Sequence, residues 1–245
     1  HSVTPGLIDG DSIIAGSGNN IVFGDNAYIV AAKENGPQYD GLPITLGLVA
    51  SLESLIGGSD RITTGLGSDI IIGGIDADVI IANFGETATA KDGDNIIIGD
   101  SGLIDWTGAD RGGQLAGDDT NPADIDRAWS IDEDHGGNDT ITTGDGNDII
   151  IGGEDGEIIS EVDIDGDALS VAAVQGDSTD GDIIHAGNGN NVVIGDNGRL
   201  SAARDEAPQL TGIPMTFGII ASGDSLIGGS DEIFVGNGND IVIGG

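Results

Sequence analysis

The chain has 245 residues and a formal net charge of −36, from 43 acidic residues against 7 Lys and Arg, and it has no Cys. That balance excludes nucleic acid, whose phosphates need Lys and Arg, disfavours an anionic membrane surface, and removes disulfides and thiolate metal sites. Aromatics at 3% leave little for a conventional core, and 45 Gly with 34 Asp against only 9 Glu favour tight turns and cation cages over ordinary acidic solubility.

In chain order, the first repeat block is 9–26, where Asp9, Asp11 and Asn20 precede the triplet Ile21-Val22-Phe23. A long insert, 27–54, follows, with strand-like Tyr28-Ile29-Val30 and Ile44-Thr45-Leu46. Block 55–81 is the clearest: Asp60, Asp69 and Asp78 are nine apart, and Asp76 sits two before the last of them. Block 92–100 carries Ile96-Ile97-Ile98, and the insert 101–134 contains Trp106 and Trp129. In block 137–159, Asp139, Asp148 and Glu157 are again nine apart, with Asp155 two before the last. Block 180–197 repeats the first with Asp180, Asp182 and Asn191, insert 198–225 follows, and block 228–245 ends the chain with Asp231 and Asp240 nine apart. Each triplet runs into Gly-Gly or Gly-Asp, which places Asp25, Asp100 and Asp196 just after a triplet.

A longer period overlies the short one. Residues 9–74 and 180–245, offset by 171, share 38 of 66 positions without a gap, including Pro37/Pro208 and Gln38/Gln209 inside the insert. Identity in a loop-like region implies duplication of a whole module, hence a segment of a longer tandem array.

Nine residues with a three-residue apolar strand and a Gly/Asp turn cannot form a helix, and three residues cannot form a stable strand alone. Stacking solves both problems. Two units make one coil turn, strand–turn–strand–turn, and equivalent strands pair about 4.8 Å apart along one continuous solenoid, 1–245. Units two apart then share an edge, so Asp60 should lie on Asp78 and Asp139 on Glu157. Like charges at that spacing repel by roughly 1 kcal/mol per pair in water, and by more where solvent is excluded. The expectation is a chain that stays loose until its charge is neutralised. The inserts widen the coil with extra strands or loop out from it.

Segments such as TGLGSDIIIGGIDADVII (64–81) and TGDGNDIIIGGEDGEII (143–159) resemble the nonapeptide repeats of the RTX, or hemolysin-type, calcium-binding family. The resemblance implies an all-β, right-handed parallel β-roll with several Ca²⁺ ions in its turns, and bacterial secretion through a type I apparatus to the cell exterior. The residues make their own case for Ca²⁺, which takes six to eight oxygens from carboxylates and backbone carbonyls; Zn²⁺ would want His or Cys. The candidate ligands are Asp60, Asp69, Asp78, Asp139, Asp148, Glu157, Asp231 and Asp240. Asp11, Asn20, Asp182 and Asn191 come next, then the turn acids Asp9, Asp76, Asp155 and Asp180. Asp25, Asp100 and Asp196 rank lower.

No HExxH, GxSxG or Walker motif is present, so no enzyme is expected. The function read from the sequence is a calcium-stiffened structural segment of a large secreted surface protein that self-associates into a rod, fibre or coat. One alternative is an accessory calcium domain of a secreted hydrolase or toxin. Another is an adhesin whose inserts, with Trp106 and Trp129, hold a surface glycan.

Overall fold

The computed structural model describes residues 10–38, 41–53, 56–107, 121–154, 181–203, 215–223 and 228–245, all of it strand and turn without a helix. It opens with β1 (Ser12–Ile14), β2 (Ile21–Phe23) and a hairpin of β3 (Ala27–Ala31) and β4 (Leu46–Ser51). Next come β5 (Arg61–Thr63), β6 (Ile70–Ile72), β7 (Val79–Ile81) and β8 (Ile96–Ile98), then a hairpin of β9 (Gly102–Asp105) and β10 (Arg127–Ser130). The last third holds β11 (Thr140–Thr142), β12 (Ile149–Gly153), β13 (Ile183–Ala186) and β14 (Val192–Asp196). A hairpin of β15 (Gly198–Ala202) and β16 (Phe217–Ser222) precedes β17 (Glu232–Val235) and β18 (Ile241–Ile243).

These strands form three six-stranded sheets. The outer sheet, β1-β5-β7-β11-β13-β17, and the middle sheet, β2-β6-β8-β12-β14-β18, are parallel and alternate along the chain, as a coil requires. The third, β3-β4-β9-β10-β15-β16, is antiparallel and built from the three hairpins. The long inserts therefore supply extra strands, one hairpin to every second coil, and their sheet covers the middle one.

The triplets show why. The central residues Ile71, Ile97, Ile150 and Val193 pack toward the outer sheet against Ile62, Ile80, Ile141 and Ile184. Their flanking neighbours, Ile70 and Ile72, Ile96 and Ile98, Ile149 and Ile151, point the other way, into a second core with Leu46, Val49, Ile104, Trp106, Ala128 and Leu200 of the covering layer. Strand residues alternate faces, so middle strands such as β6 and β8, buried at all three positions, are covered on both sides. The outer strands β5, Arg-Ile-Thr, and β11, Thr-Ile-Thr, bury only their centre, as does the wholly apolar β7, Val-Ile-Ile. The covering strands approach closely where glycine permits: a Cβ on Gly102 or Gly198 would lie 2.5 or 2.6 Å from the side chain of Ile98 or Ile194.

One register expectation needs correction. Asp60 does stack on Asp78, but Asp139 lies between Asp78 and Asp182, because β11 pairs with β7 on one side and β13 on the other. The nine-residue spacing that pointed to Glu157 does not set the next layer; β13 enters only after residue 181. Glu157, Asp155, Asp180 and Asp9 lie outside the described residues.

Candidate metal centre

The stack has two turn edges. On the first, each turn leads from an outer strand into a middle strand, and the residue before the middle strand is in turn Asn20, Asp69, Asn95, Asp148, Asn191 and Asp240. On the second, where the chain returns to an outer strand, the equivalent residues are Asp11, Asp60, Asp78, Asp139, Asp182 and Asp231. Every candidate at nine-residue spacing that is described falls on one of these columns. Asn95 had been passed over because the loop before it breaks the spacing; its place directly before Ile96, like Asp69 before Ile70, was the available signal.

Both columns are hydrogen-bonded ladders in which each side chain accepts the backbone N–H of its counterpart one layer earlier. On the second edge Asp60 N donates to Asp78 Oδ1 (2.6 Å), Asp78 N to Asp139 Oδ1 (2.8 Å), Asp139 N to Asp182 Oδ1 (2.7 Å) and Asp182 N to Asp231 Oδ1 (3.1 Å). On the first edge the same bond links Asn20 to Asp69, Asp69 to Asn95, Asn95 to Asp148, Asp148 to Asn191 and Asn191 to Asp240. Asp or Asn is required because the reach is short and the acceptor must stand one layer away.

One carboxylate oxygen is thereby used and the other is left. The Oδ2 atoms of Asp60 and Asp78 are buried and have no hydrogen-bond partner. They face the glycines that end the triplets. A Cβ on Gly73 would sit 2.2 Å from Asp78 Oδ2 and 2.0 Å from the Gly99 carbonyl oxygen; one on Gly24 would sit 2.0 Å from Asp60 Oδ2 and 2.2 Å from Gly73 O. The same cradle recurs at Gly99 with Asp139, Gly152 with Asp182 and Gly195 with Asp231. Around Asp60 and Asp78, carboxylate and carbonyl oxygens thus converge where no hydrogen bond reaches Oδ2, an arrangement that a bound cation would relieve.

Burial makes the need plain. It pushes the carboxyls of Asp60, Asp69 and Asp78 above their ordinary range, with the neighbouring charges of Asp60, Asp25 and Asp76 adding to the effect at Asp78. Burial raises Asp148 to about 7, opposed by the Thr143 hydroxyl and the Asn95 N–H. The Thr64 hydroxyl likewise opposes the shift at Asp69, although neither it nor Asp69 Oδ2 reaches hydrogen-bond geometry. Asp and glycyl carbonyls are hard oxygen donors at adjustable spacing, which suits Ca²⁺ better than Mg²⁺ or Zn²⁺. Among the described residues no three acidic or histidine side chains form one metal-holding group, so an ion held between these layers would need backbone carbonyls in its shell.

The remaining acids have other places. Asp76 is an exposed turn residue with φ 68°. Asp25, Asp100 and Asp196 act as clasps where the hairpins leave the coil. Asp100 accepts from Gly137 N (3.0 Å) and from Glu154 N, Asp25 from Ile75 N (2.8 Å), and Asp196 from Gly229 N (3.1 Å). Asp100 thus ties the segment returning from its hairpin to the next layer's turn, while Asp25 reaches the next layer's turn and Asp196 the returning segment. The coils without a hairpin carry Gly74, Gly153 or Gly245 at this position, all with positive φ. Trp106 is buried in the second core, which anchors its insert. Trp129 lies on the far face of the covering sheet between the Arg127 and Arg199 guanidinium groups, at 4.7 and 5.8 Å from its ring.

The family model described as the RTX calcium-binding nonapeptide repeat (4 copies) matches residues 6–27, 56–87, 134–158, 178–199 and 227–245. The chain is built on the RTX repeat. No curated protein and no solved structure matches it. The RTX stretches coincide with the parallel coils and omit almost all of the covering sheet; they also pass over β8, whose preceding loop departs from RTX spacing. RTX repeats bind calcium, so the ion that the cradles fit is the ion that the family takes.

Proposed function

We propose that this chain is a calcium-folded structural segment of a secreted bacterial protein, a stiff rod element rather than a catalytic one. The observation that carries the reading is the unbroken column of stacked aspartates on the second edge. Six carboxylates in one file are a liability in the free chain and become a spine once each gap is filled with positive charge. Bound calcium supplies that charge, and its binding free energy is then folding free energy. In a calcium-poor cytosol the chain stays loose enough to be exported, and outside the cell the layers close. Two cores flanking the middle sheet make a thicker and stiffer body than a two-sheet roll. The 171-residue duplication supports a tandem array, which lengthens a rod layer by layer.

Far-UV circular dichroism tests this. In chelator the chain is expected to show little β-structure, with a cooperative gain as calcium rises to the millimolar range. Equal β-structure in chelator and calcium would overturn the reading.

A further inference from the structure

The edges share one ladder, but only the second is acidic throughout; on the first, Asn and Asp alternate without exception through six layers. We infer that on the first edge the side-chain amides of Asn20, Asn95 and Asn191 stand in for calcium, so that this edge closes with fewer ions than the second. The inference rests on the calcium reading of the turns and assigns these asparagines a role opposite to that of ligands.

The geometry of the amides is the warrant. Asn20 Nδ2 donates to Gly16 O (2.9 Å), Gly18 O (2.8 Å) and Asp69 Oδ1 (2.8 Å). Asn95 Nδ2 donates to Asp92 Oδ2 (2.9 Å) and Gly93 O (3.3 Å), and Asn191 Nδ2 to Gly187 O (3.2 Å) and Asp240 Oδ1 (3.1 Å). In all three, one NH₂ group bridges a turn carbonyl and a carboxylate, the two kinds of oxygen a calcium ion would gather. Those neighbours only accept, so the amide nitrogen is fixed toward them. The bridged carbonyls are also the ones over which the next layer's glycine sits: a Cβ on Gly67 would lie 2.3 Å from Gly18 O, on Gly146 2.0 Å from Gly93 O, and on Gly236 2.6 Å from Gly187 O. The amide therefore satisfies turn carbonyls that an ion would otherwise gather, while Asp69 Oδ2 and Asp148 Oδ2 stay buried without a partner, so the need for metal on this edge is reduced and not removed.

Charge arithmetic agrees. A gap on the second edge lies between two carboxylates of its column, and a gap on the first edge lies between one carboxylate and one amide. Where the loop 82–95 replaces a short turn, the same edge also receives a tethered cation: Lys91 Nζ pairs with Asp145 and lies 3.5 Å from Glu86, which accepts the Asp145 N–H.

The test counts ions and tracks folding in three forms of the whole chain: the native sequence, Asn95→Asp with Asn191→Asp, and Asp69→Asn with Asp148→Asn. Equilibrium dialysis against calcium is expected to show extra bound ions in the Asn→Asp form, roughly one per replaced residue. Its folding midpoint should move to higher calcium. The Asp→Asn form should bind fewer ions and fold at lower calcium, whereas Asp69→Ala with Asp148→Ala, which has no amide to offer, should not gain that advantage. If the Asn→Asp form fails to fold at any calcium concentration, the Asp→Asn and Ala forms decide by the same contrast. Unchanged stoichiometry in a folded Asn→Asp form, or an Asp→Asn form that needs as much calcium as its Ala counterpart, would overturn the inference. A native chain that binds no calcium would instead overturn the functional reading beneath it.

Discussion

The two turn edges hold the same layers in the same register, yet one is a file of six carboxylates and the other alternates carboxylate and amide. Their common feature is the bond from a backbone N–H to the side-chain oxygen one layer on, which neither Asp nor Asn forfeits. Their difference is charge. The comparison teaches that the residue before each strand is a spacer between layers whatever its charge, so the ladder is kept everywhere while the charge left for a cation differs from edge to edge. Buried carboxylates that face carbonyls cost several kcal/mol each unless paired, and a neutral amide on alternate layers removes part of that cost without an ion.

The comparison can be broken most severely at the second edge. Asp78→Ala removes the acceptor of the Asp60 N–H and one wall of two gaps together. An orphaned buried N–H alone costs about 1–3 kcal/mol, so the calcium midpoint in a dichroism titration should rise, by roughly twofold or more where several ions bind together with folding. Asn95→Ala on the first edge loses a ladder acceptor but no charge, and should shift that midpoint less.

A glycine pair sharpens the same point through shape. Gly99→Ala would drive a methyl to within 2.0 Å of Asp139 Oδ2 and 2.3 Å of Gly152 O, whereas a Cβ on Gly16 meets nothing within 4 Å. The first should destabilise the calcium-loaded fold by about 1–3 kcal/mol in thermal unfolding, and the second should be nearly silent.

Acidity offers a graded probe. Burial raises Asp148 and Glu154 from 3.8 and 4.5 to about 7, and Asp25 and Asp92 to about 6. The folded, calcium-free chain therefore holds protons that the unfolded chain releases near its ordinary carboxyl range. In chelator, where little β-structure is expected at neutral pH, the folded fraction should rise as pH falls from about 7 toward 4 and fall as pH rises through the same window. With calcium present the dependence should reverse, because ion and proton compete for the same carboxylates. Circular dichroism at several pH values in chelator, and denaturant unfolding at the same pH values in calcium, read the two slopes.

The smallest effect belongs far from either edge. Arg199 pairs with Glu133 at 2.9 Å on the surface of the covering sheet and is more than half exposed. Arg199→Ala should change stability by less than about 0.5 kcal/mol and leave the calcium midpoint where it was.

Much of this was legible in the residues. The spacing of Asp60, Asp69 and Asp78 was enough to assign alternate edges, and the triplets to place the strands. The covering sheet was legible only as one of two options, extra strands or loops: the inserts hold strand-like Tyr28-Ile29-Val30 and Ile44-Thr45-Leu46, but no nine-residue repeat marks Ala27–Ala31 and Leu46–Ser51. A partial trace lay in the middle strands: Ile-Ile-Ile at 70–72 is apolar on both faces whereas Arg-Ile-Thr at 61–63 is not, though the outer Val-Ile-Ile at 79–81 shares the apolar pattern. The Gly-Asp dipeptides marked where each hairpin departs, a meaning that becomes visible once Asp25, Asp100 and Asp196 are seen clasping the returning chain. Glu157 misled because a fixed spacing was carried past the point where the next outer strand, β13, begins at Ile183. The sequence offers Asn20 and Asn191 as ligands through a carbonyl oxygen; it does not reveal that each amide nitrogen faces a turn carbonyl and a carboxylate.

The most direct test of the central claim is a crystal structure of the chain grown in calcium. The account predicts ions in the second-edge gaps, each bound by the second carboxylate oxygen of an aspartate such as Asp60 or Asp78 together with glycyl carbonyls such as those of Gly73 and Gly99. Ordered layers with those oxygens hydrogen-bonded to water and no ion between them would contradict it.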